Sequence, residues 1–599
     1  MVSSYSTDSF ISPDGLSKNL VLNRSLESLD GNIRSVVSGF IHSGHKSIQV
    51  AEEVARRQHQ LPNDQRALDR ALYPFISFSR HHSDGSRGEW HVHKPFQPQR
   101  VHLFLMAEAA DLTKQSSWAQ VRAVAQICVD GSSLYREGLA SLCCHASQVF
   151  ALQPTRLYVH ALYIRGSTLE LWVFDRAGMY CADTLDIHAD PIRYAALVLG
   201  YTLMDSEALG SLNVIWADTT RADTARADTT RAHTDYTRTT FVPKCKHSDS
   251  PAVAIPVSDA PFVRVMGIVG SGMVCYHASQ QHSEEPNRVL KLKWRDIDDM
   301  PEERPLQKAR NRHVWGVVGL EHHGELQYTA ELRKGIEFGP PLKLAVRPLG
   351  DALDRNNGGF KSHTESAGKD RGIPHRVLCF HVLSPLGRRL STFRTREELL
   401  QALRDAIKGH RSLLQNARIL HRDVSEDNIV IVDDASENSP KGILIDLDSA
   451  LDLEAGPNRR QITGTRAFMS IGILRERRHT YRHDLESFLY VFLSTVIANR
   501  NLDLPEDSKL HGWSQGTWGD SARKKVHFME KSNFTYILDE FPEEHETLKP
   551  LAEDLRDILF PMEGDGIFTG TDSAAENRIY NGMIGAFEWA ILQERRRAN

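Results

Sequence analysis

None of the seven cysteines stands in a CxxC pair. Their odd number and their scatter (Cys128, Cys143, Cys144, Cys181, Cys245, Cys275, Cys379) argue against a disulfide framework or a zinc knuckle and for a reducing compartment. Also missing are an apolar run of bilayer length and the basic-then-apolar opening of a secretory leader, since the chain starts Met1-Val-Ser-Ser-Tyr-Ser-Thr-Asp. The expectation is an intracellular protein, cytoplasmic or nuclear, with no membrane partner. Neither charge is in surplus: 72 Lys and Arg against 77 Asp and Glu leave -5, which calls for no nucleic acid. What is present is an ordinary 41% hydrophobic content in 599 residues, enough for two or more domains.

Residues 1–95 read as a polar helical leader, with weak helical spacing in Ile48, Ala51, Val54 and Ala55. Residues 96–210 form an α/β module of unknown role. Its strands are Val101 to Met106, Leu157 to Ile164 and Leu169 to Phe174, the last two alternating around a hairpin turn at Arg165-Gly-Ser-Thr. Residues 211–255 contain a five-residue repeat, Ala217-Asp-Thr-Thr-Arg and its copies to Arg231, too polar to bury a core and read as a linker. Residues 256–385 are strand-rich with a polar insert near Leu353 to Pro374, and residues 386–599 are mainly helical.

The strongest local signal follows a helix over 397–420. His421-Arg-Asp-Val-Ser-Glu-Asp-Asn428 leads into the strand Ile429-Val-Ile-Val. Phosphoryl transfer needs a carboxylate to orient the attacking hydroxyl and, nearby, an amide oxygen for a divalent cation. Asp423 fits the first role and Asn428 the second. The octet matches the catalytic-loop pattern HRDxxxxN at its four fixed positions. A polar surface loop would explain any one of these residues, not the set. Downstream, Gly442-Ile-Leu-Ile-Asp-Leu-Asp-Ser-Ala ends a strand on an acid, which makes Asp446 the second metal ligand, with Asp448 two residues beyond. Leu447 and Asp448 stand where a DFG triplet has Phe and Gly.

Upstream, Gly267-Ile-Val-Gly-Ser-Gly-Met-Val274 supplies Gly267, Gly270, Gly272 and Val274 in the manner of a nucleotide-covering loop, with Val269 at the second glycine position. Lys291, in Arg288-Val-Leu-Lys, is placed to pair with the α- and β-phosphates, with Lys293 on the same strand face as the fallback. Its acidic partner on the next helix is Glu303 or Glu302, Glu303 being taken first. Arg376 to Gly387 reads as a buried strand ending in a hinge for adenine. Gly464-Thr465-Arg-Ala-Phe468-Met469-Ser470 resembles the peptide-positioning loop GTxxYMAPE without its APE, and Thr465 favours Ser or Thr acceptors. Asp484, in an apolar helix, would hold the catalytic-loop backbone. Arg422, beside the base, suggests control by a phosphorylated residue, with Thr463 as a candidate.

Together HRDVSEDN, GILIDLDSA, GTRAFMS and RHDLESFLYVF resemble the fungal-type protein kinase family over about residues 260–500. Arg156-Leu-Tyr-Val-His-Ala and Trp172 to Gly178 are similar to the module that precedes the kinase core in such proteins. The resemblance implies an α+β fold: a two-lobed protein-kinase-like domain, mostly β in its N-lobe and helical in its C-lobe, after a smaller α/β module. It implies ATP and Mg as cofactors and a protein substrate with a Ser or Thr acceptor. Three departures stand out: Ser425 where many such kinases place lysine, Val269 for glycine, and no APE glutamate. Ser425 and the absent APE keep a small-molecule kinase of the same fold in view, and a catalytically silent scaffold is the third reading. After Trp118 no Glu-x-Lys pair follows, so nuclease chemistry has no residues to stand on.

Overall fold

The computed structural model of the chain describes residues 10–11, 89–93, 100–106, 115–128, 135–182, 184–190, most of 194–217, 239–245, 254–280, 286–336, 338, 374–433, 438–455, 462–501, 503–564 and 566–598. The expected leader helix at 48–55, the repeat beyond Ala217 and the insert up to residue 373 lie outside them.

The first sheet runs in chain order: β1 (Glu89–His93), β2 (Arg100–Met106), β3 (Val121–Cys128), β4 (Tyr158–Arg165), β5 (Thr168–Asp175) and β6 (Gly178–Ala182). Phe10–Ile11 pairs beyond β6, and Leu185–Asp186 also lies on β5. β3 and β4 are parallel and therefore need a crossover, which α1 (Tyr135–Leu152) supplies. β4 and β5 are joined by the hairpin expected at Arg165 to Thr168, turning at Gly166 with φ 55°. Both strands are buried at nearly every position because both faces of the sheet are covered.

The second sheet comprises β7 (Ile215–Ala217), β8 (Thr239–Phe241), β9 (Ile255–Val257), β10 (Val263–Arg264), β11 (Val274–Ala278), β12 (Arg288–Asp296), β13 (Gly319–Tyr328) and β14 (Arg376–Ser384). Its order is β13-β14-β12-β11-β9-β8-β7, with β10 on β11 and every pairing antiparallel. Strand alternation divides its faces. Val274, Tyr276, Leu290, Leu292, Phe380 and Val382 enter one apolar core with Leu105, Leu162, Leu171 and Val173 of the first sheet. Cys275, Lys291 and His381, opposite one another in register, take the other face, toward α2 (Glu303–Asn311).

The remaining chain is mainly helical: α3 (Arg396–Ala417), α4 (Tyr481–Ala498), α5 (Trp518–Met529), α6 (Lys549–Leu559) and α7 (Glu576–Ala598) enclose a core that includes Leu403, Phe488, Phe492, Leu555 and Tyr580. Thr395 caps α3 by accepting the Glu398 N–H at 3.1 Å. Arg418 in the left-handed region (φ 55°) ends α3 at Ala417, three residues short of the end that its periodicity predicts. Ile419–Leu420 is thereby released to pair with Leu451–Asp452 at the base of the octet His421 to Asn428. Among the described residues no helix is long and apolar enough to cross a membrane.

Candidate active site

The octet is held from below by α4. Asp484, 1% exposed, accepts the backbone N–H of His421 at 3.1 Å and of Arg422 at 3.2 Å, and both of its oxygens also face imidazoles, His410 at 2.8 Å and His479 at 2.7 Å. Burial alone would raise this carboxyl, yet His479 and His410 hold it well below the usual carboxylate range. Arg422 thus contributes its backbone, at φ 68°, to the turn that presents Asp423. His421 is buried, and burial lowers its pKa against Asp484 and Asp423. A neutral ring protonated at Nε2 satisfies both of its contacts, donating to Ile445 O at 3.0 Å and accepting the Asp423 N–H at Nδ1 at 3.3 Å.

Asp423 Oδ1 accepts from both the N–H (2.8 Å) and the Oγ1 (2.9 Å) of Thr465. The approach depends on Gly464, at φ 119°, where a Cβ would come within 2.9 Å of Arg422 O. Asn428 donates from Nδ2 to Asp423 O at 2.8 Å, which leaves Oδ1, the atom a cation needs. Its own carbonyl receives the Ile445 N–H at 3.0 Å, so the octet and the strand end carrying Asp446 are tied at two points. Thr463 is 8% exposed with its hydroxyl 2.9 Å from Ser449 Oγ, so that hydroxyl is not open to modification in this state.

Lys291 Nζ lies 2.9 Å from Glu302 Oε2 and 3.0 Å from Asp446 Oδ1. The acidic partner is therefore Glu302, at the start of α2, and not Glu303. The two residues diverge in direction at the helix start, and Glu303 turns to His381 Nε2 at 3.3 Å. Lys293 repeats the pattern from two residues on: it donates to Glu302 Oε2 at 2.7 Å and to Asp448. Burial opposes the charge on Lys291, but Asp446, Glu302 and Asp448 hold its pKa well above the ordinary lysine value. Burial pushes Asp446 up to about 6, with Asp448 and Glu302 adding to the rise against Lys291. The two directions agree on a count of charges: three carboxylates share two ammonium groups, and the surplus negative charge falls on Asp446.

Glu302, Asp446 and Asp448 offer oxygens within 4.8 Å of one another, a spacing that fits a divalent cation. With Asn428 added from the loop whose carbonyl holds the Ile445 N–H, the donor set is all oxygen, as Mg²⁺ requires.

Gly267, Gly270 and Gly272 form the bend between β10 and β11 and all have positive φ, 126°, 124° and 45°. Val274 is not at the site: its side chain is in the core shared with the first sheet, and Cys275 takes the face of Lys291. A one-residue difference in register moves a strand residue to the other face.

The sequence also left the Thr465 loop without an anchor. Glu486 supplies one, accepting the Ile471 N–H at 2.6 Å and Arg482 Nη1 at 2.8 Å. Lys525 of α5 supplies another, donating to Ala467 O at 2.8 Å and Met469 O at 2.5 Å. The i,i+4 charge pair Arg482 and Glu486 inside an apolar helix was the visible signal for the first; Lys525 carries none.

A strand lysine paired to an acid at a helix start, a loop carrying Asp423 and Asn428, and an acid just beyond a strand are consistent with the protein-kinase-like class. The family model described as fungal protein kinase matches residues 100–496, about two thirds of the chain, and the protein belongs to that family. Membership supports kinase, that is phosphotransferase, activity. No curated protein matches the chain.

Proposed function

We propose that the protein is an ATP- and Mg²⁺-dependent protein Ser/Thr kinase acting inside the cell, cytoplasmic or nuclear. In this reading β9 to β14 with α2 form the N-lobe, the helical part the C-lobe, and residues 96–210 a module in front of them. The observation that carries it is the double contact of Thr465 on Asp423 Oδ1. It fixes one oxygen of the base and leaves the other to orient and deprotonate an acceptor hydroxyl. Lys291 binds the α- and β-phosphates, positioned by Glu302. Asn428 and Asp446 would hold Mg²⁺, which supplies charge neutralisation at the phosphates. Arg466, bonded to Gly516 O at 2.6 Å and Thr517 O at 2.8 Å, and Lys525 keep the acceptor-side loop in place without an APE motif. The test is transfer of labelled γ-phosphate from Mg-ATP by wild type and Asp423→Asn to generic proteins and to a metabolite panel. Labelled protein that vanishes in the variant supports the reading. Labelled metabolite alone moves the assignment to a small-molecule kinase, and no transfer at all to a silent scaffold.

A further inference from the structure

The first sheet grips the glycine-rich bend. The turn between β5 and β6 is Asp175-Arg176-Ala-Gly178, and Arg176, 2% exposed, projects from it into the bend 91 residues downstream. Its Nη1 donates to Gly267 O at 2.7 Å, its carbonyl accepts the Gly270 N–H at 3.3 Å, and its guanidinium fills the space beside Gly272, where a Cβ would meet Cζ at 2.6 Å. Between those points Ile268 packs into the core beneath α1, with Phe104, Phe150 and Trp172. The guanidinium lies 4.3 Å over the Phe150 ring, and among the described residues it has no carboxylate partner and its Nε has no hydrogen bond. Burial pulls its pKa down to about 9, with Arg376 adding to the effect. A buried cation without a counter-ion is costly, and this one is retained where it touches Gly267 and Gly272, while the backbone carbonyl of the same residue holds Gly270.

The turn is itself immobilised. Asp175 Oδ1 accepts the N–H groups of Ala177 (2.8 Å) and Gly178 (3.0 Å), and the carboxylate takes Arg333 Nε and Nη2, each at 2.7 Å. The first sheet covers the face of the second sheet that Val274 and Leu292 occupy, opposite Lys291. Its hold on the bend therefore comes from behind and leaves the Lys291 side clear.

We propose that Arg176 is a positioning residue: the module in front of the kinase core sets the nucleotide-covering loop for phosphate through Arg176 and the socket for Ile268. A bend with three glycines at positive φ has many alternative conformations, and a loop already ordered from behind binds phosphate without that ordering cost. The inference rests on the reading of residues 265–273 as the loop that covers nucleotide.

The experiment uses the full chain as wild type, Arg176→Ala and Ile268→Ala, with Mg-ATP affinity, kcat and amide exchange over 265–273 measured for each. Both variants are expected to bind Mg-ATP about fivefold or more weakly, with kcat changed less than about twofold and faster exchange confined to the bend. Should Arg176→Ala not fold, Ile268→Ala, cut from the loop side, carries the test. Unchanged affinity in a folded variant, or tighter binding and faster turnover that would make the contact a brake, overturns the inference alone. A wild type that neither binds Mg-ATP nor turns it over overturns the underlying reading and this inference with it.

Discussion

Lys293 reaches the same carboxylate oxygen as Lys291: Glu302 Oε2 accepts from one ammonium at 2.7 Å and from the other at 2.9 Å. β12 alternation puts both lysines on one face, and the start of α2 places a single acid between them. The second lysine carries Asp448 as the first carries Asp446, so the strand, the helix and the acid-bearing turn are joined by one charge network rather than one ion pair. Substitutions within such a network are not additive, because each charge has more than one partner.

Glu302→Gln removes the charge between the two lysines and should lower kcat/KM by about 10² or more, since it leaves the phosphate-binding lysine without its support. Glu303→Gln, which touches only His381 among the contacts above, should stay within about threefold of wild type. Steady-state kinetics on both variants decide it. Equal losses would mean that the helix start, not the acid, matters.

The acid limb of Mg²⁺ binding should start from the Asp446 value of about 6 in the metal-free protein, bound cation drawing the limb of turnover to lower pH. A carboxyl raised above its ordinary value is protonated as pH falls through the raised value, and cation binding that needs the anion is lost there. Asp448→Asn removes a charge that raises Asp446 and should move the limb to lower pH. Glu426, pushed up to about 7 by burial and by Asp427, titrates close by, so Glu426→Gln is the control that should not move the Asp446 limb. Stability has the opposite sign: the raised carboxyl favours folding at low pH and ceases to as pH rises through about 6. Asp446→Asn should therefore melt at higher temperature than wild type at pH 8 while being inactive. A lower melting temperature at that pH would contradict the charge count.

The turn at His421 to Asn428 and the strand Gly442–Leu444 before Asp446 were legible because their signals sit in consecutive residues: the helix before the turn and the strand after it are all local. The hairpin at Arg165 to Thr168 was legible for the same reason. Glu302 was not separable from Glu303 because the phase of a helix start is uncertain by about a residue from pattern alone. Val274 was assigned to the nucleotide-covering loop on its position in the glycine pattern alone, and the strand register, which sets Val274 opposite Leu292 and Cys275 opposite Lys291, is not visible in that pattern. The contacts of Arg176, Arg333 and Lys525 span 91, 158 and 58 residues, and no local pattern encodes a partner at such separations.

Lys525 tests the anchor that replaces the missing APE. Burial holds its amine well below the ordinary lysine value, and Nζ lies 4.2 Å over the Tyr490 ring while it bonds the two carbonyls of the Thr465 loop. Lys525→Met keeps the packing and loses both bonds. Transfer to a protein acceptor should fall about tenfold, with Mg-ATP affinity unchanged. A fall in nucleotide affinity of the same size would place the lysine's role elsewhere.

Asp175 and Arg333 are 1% and 3% exposed at their side chains and form a bidentate pair across 158 residues. Removing one partner of such a pair leaves a buried charge, which costs about 3–5 kcal/mol. Arg333→Met should therefore destabilise the protein by about that amount in urea unfolding, with the first sheet losing one of its fastenings to the second. Asp175→Asn in the same chain removes the orphaned charge yet keeps an oxygen for the N–H groups of Ala177 and Gly178. The double variant should regain most of the loss, because what is expensive is the uncompensated anion and not the missing bond. If the two losses simply add, Asp175 acts through its turn alone and the pair does not join the sheets.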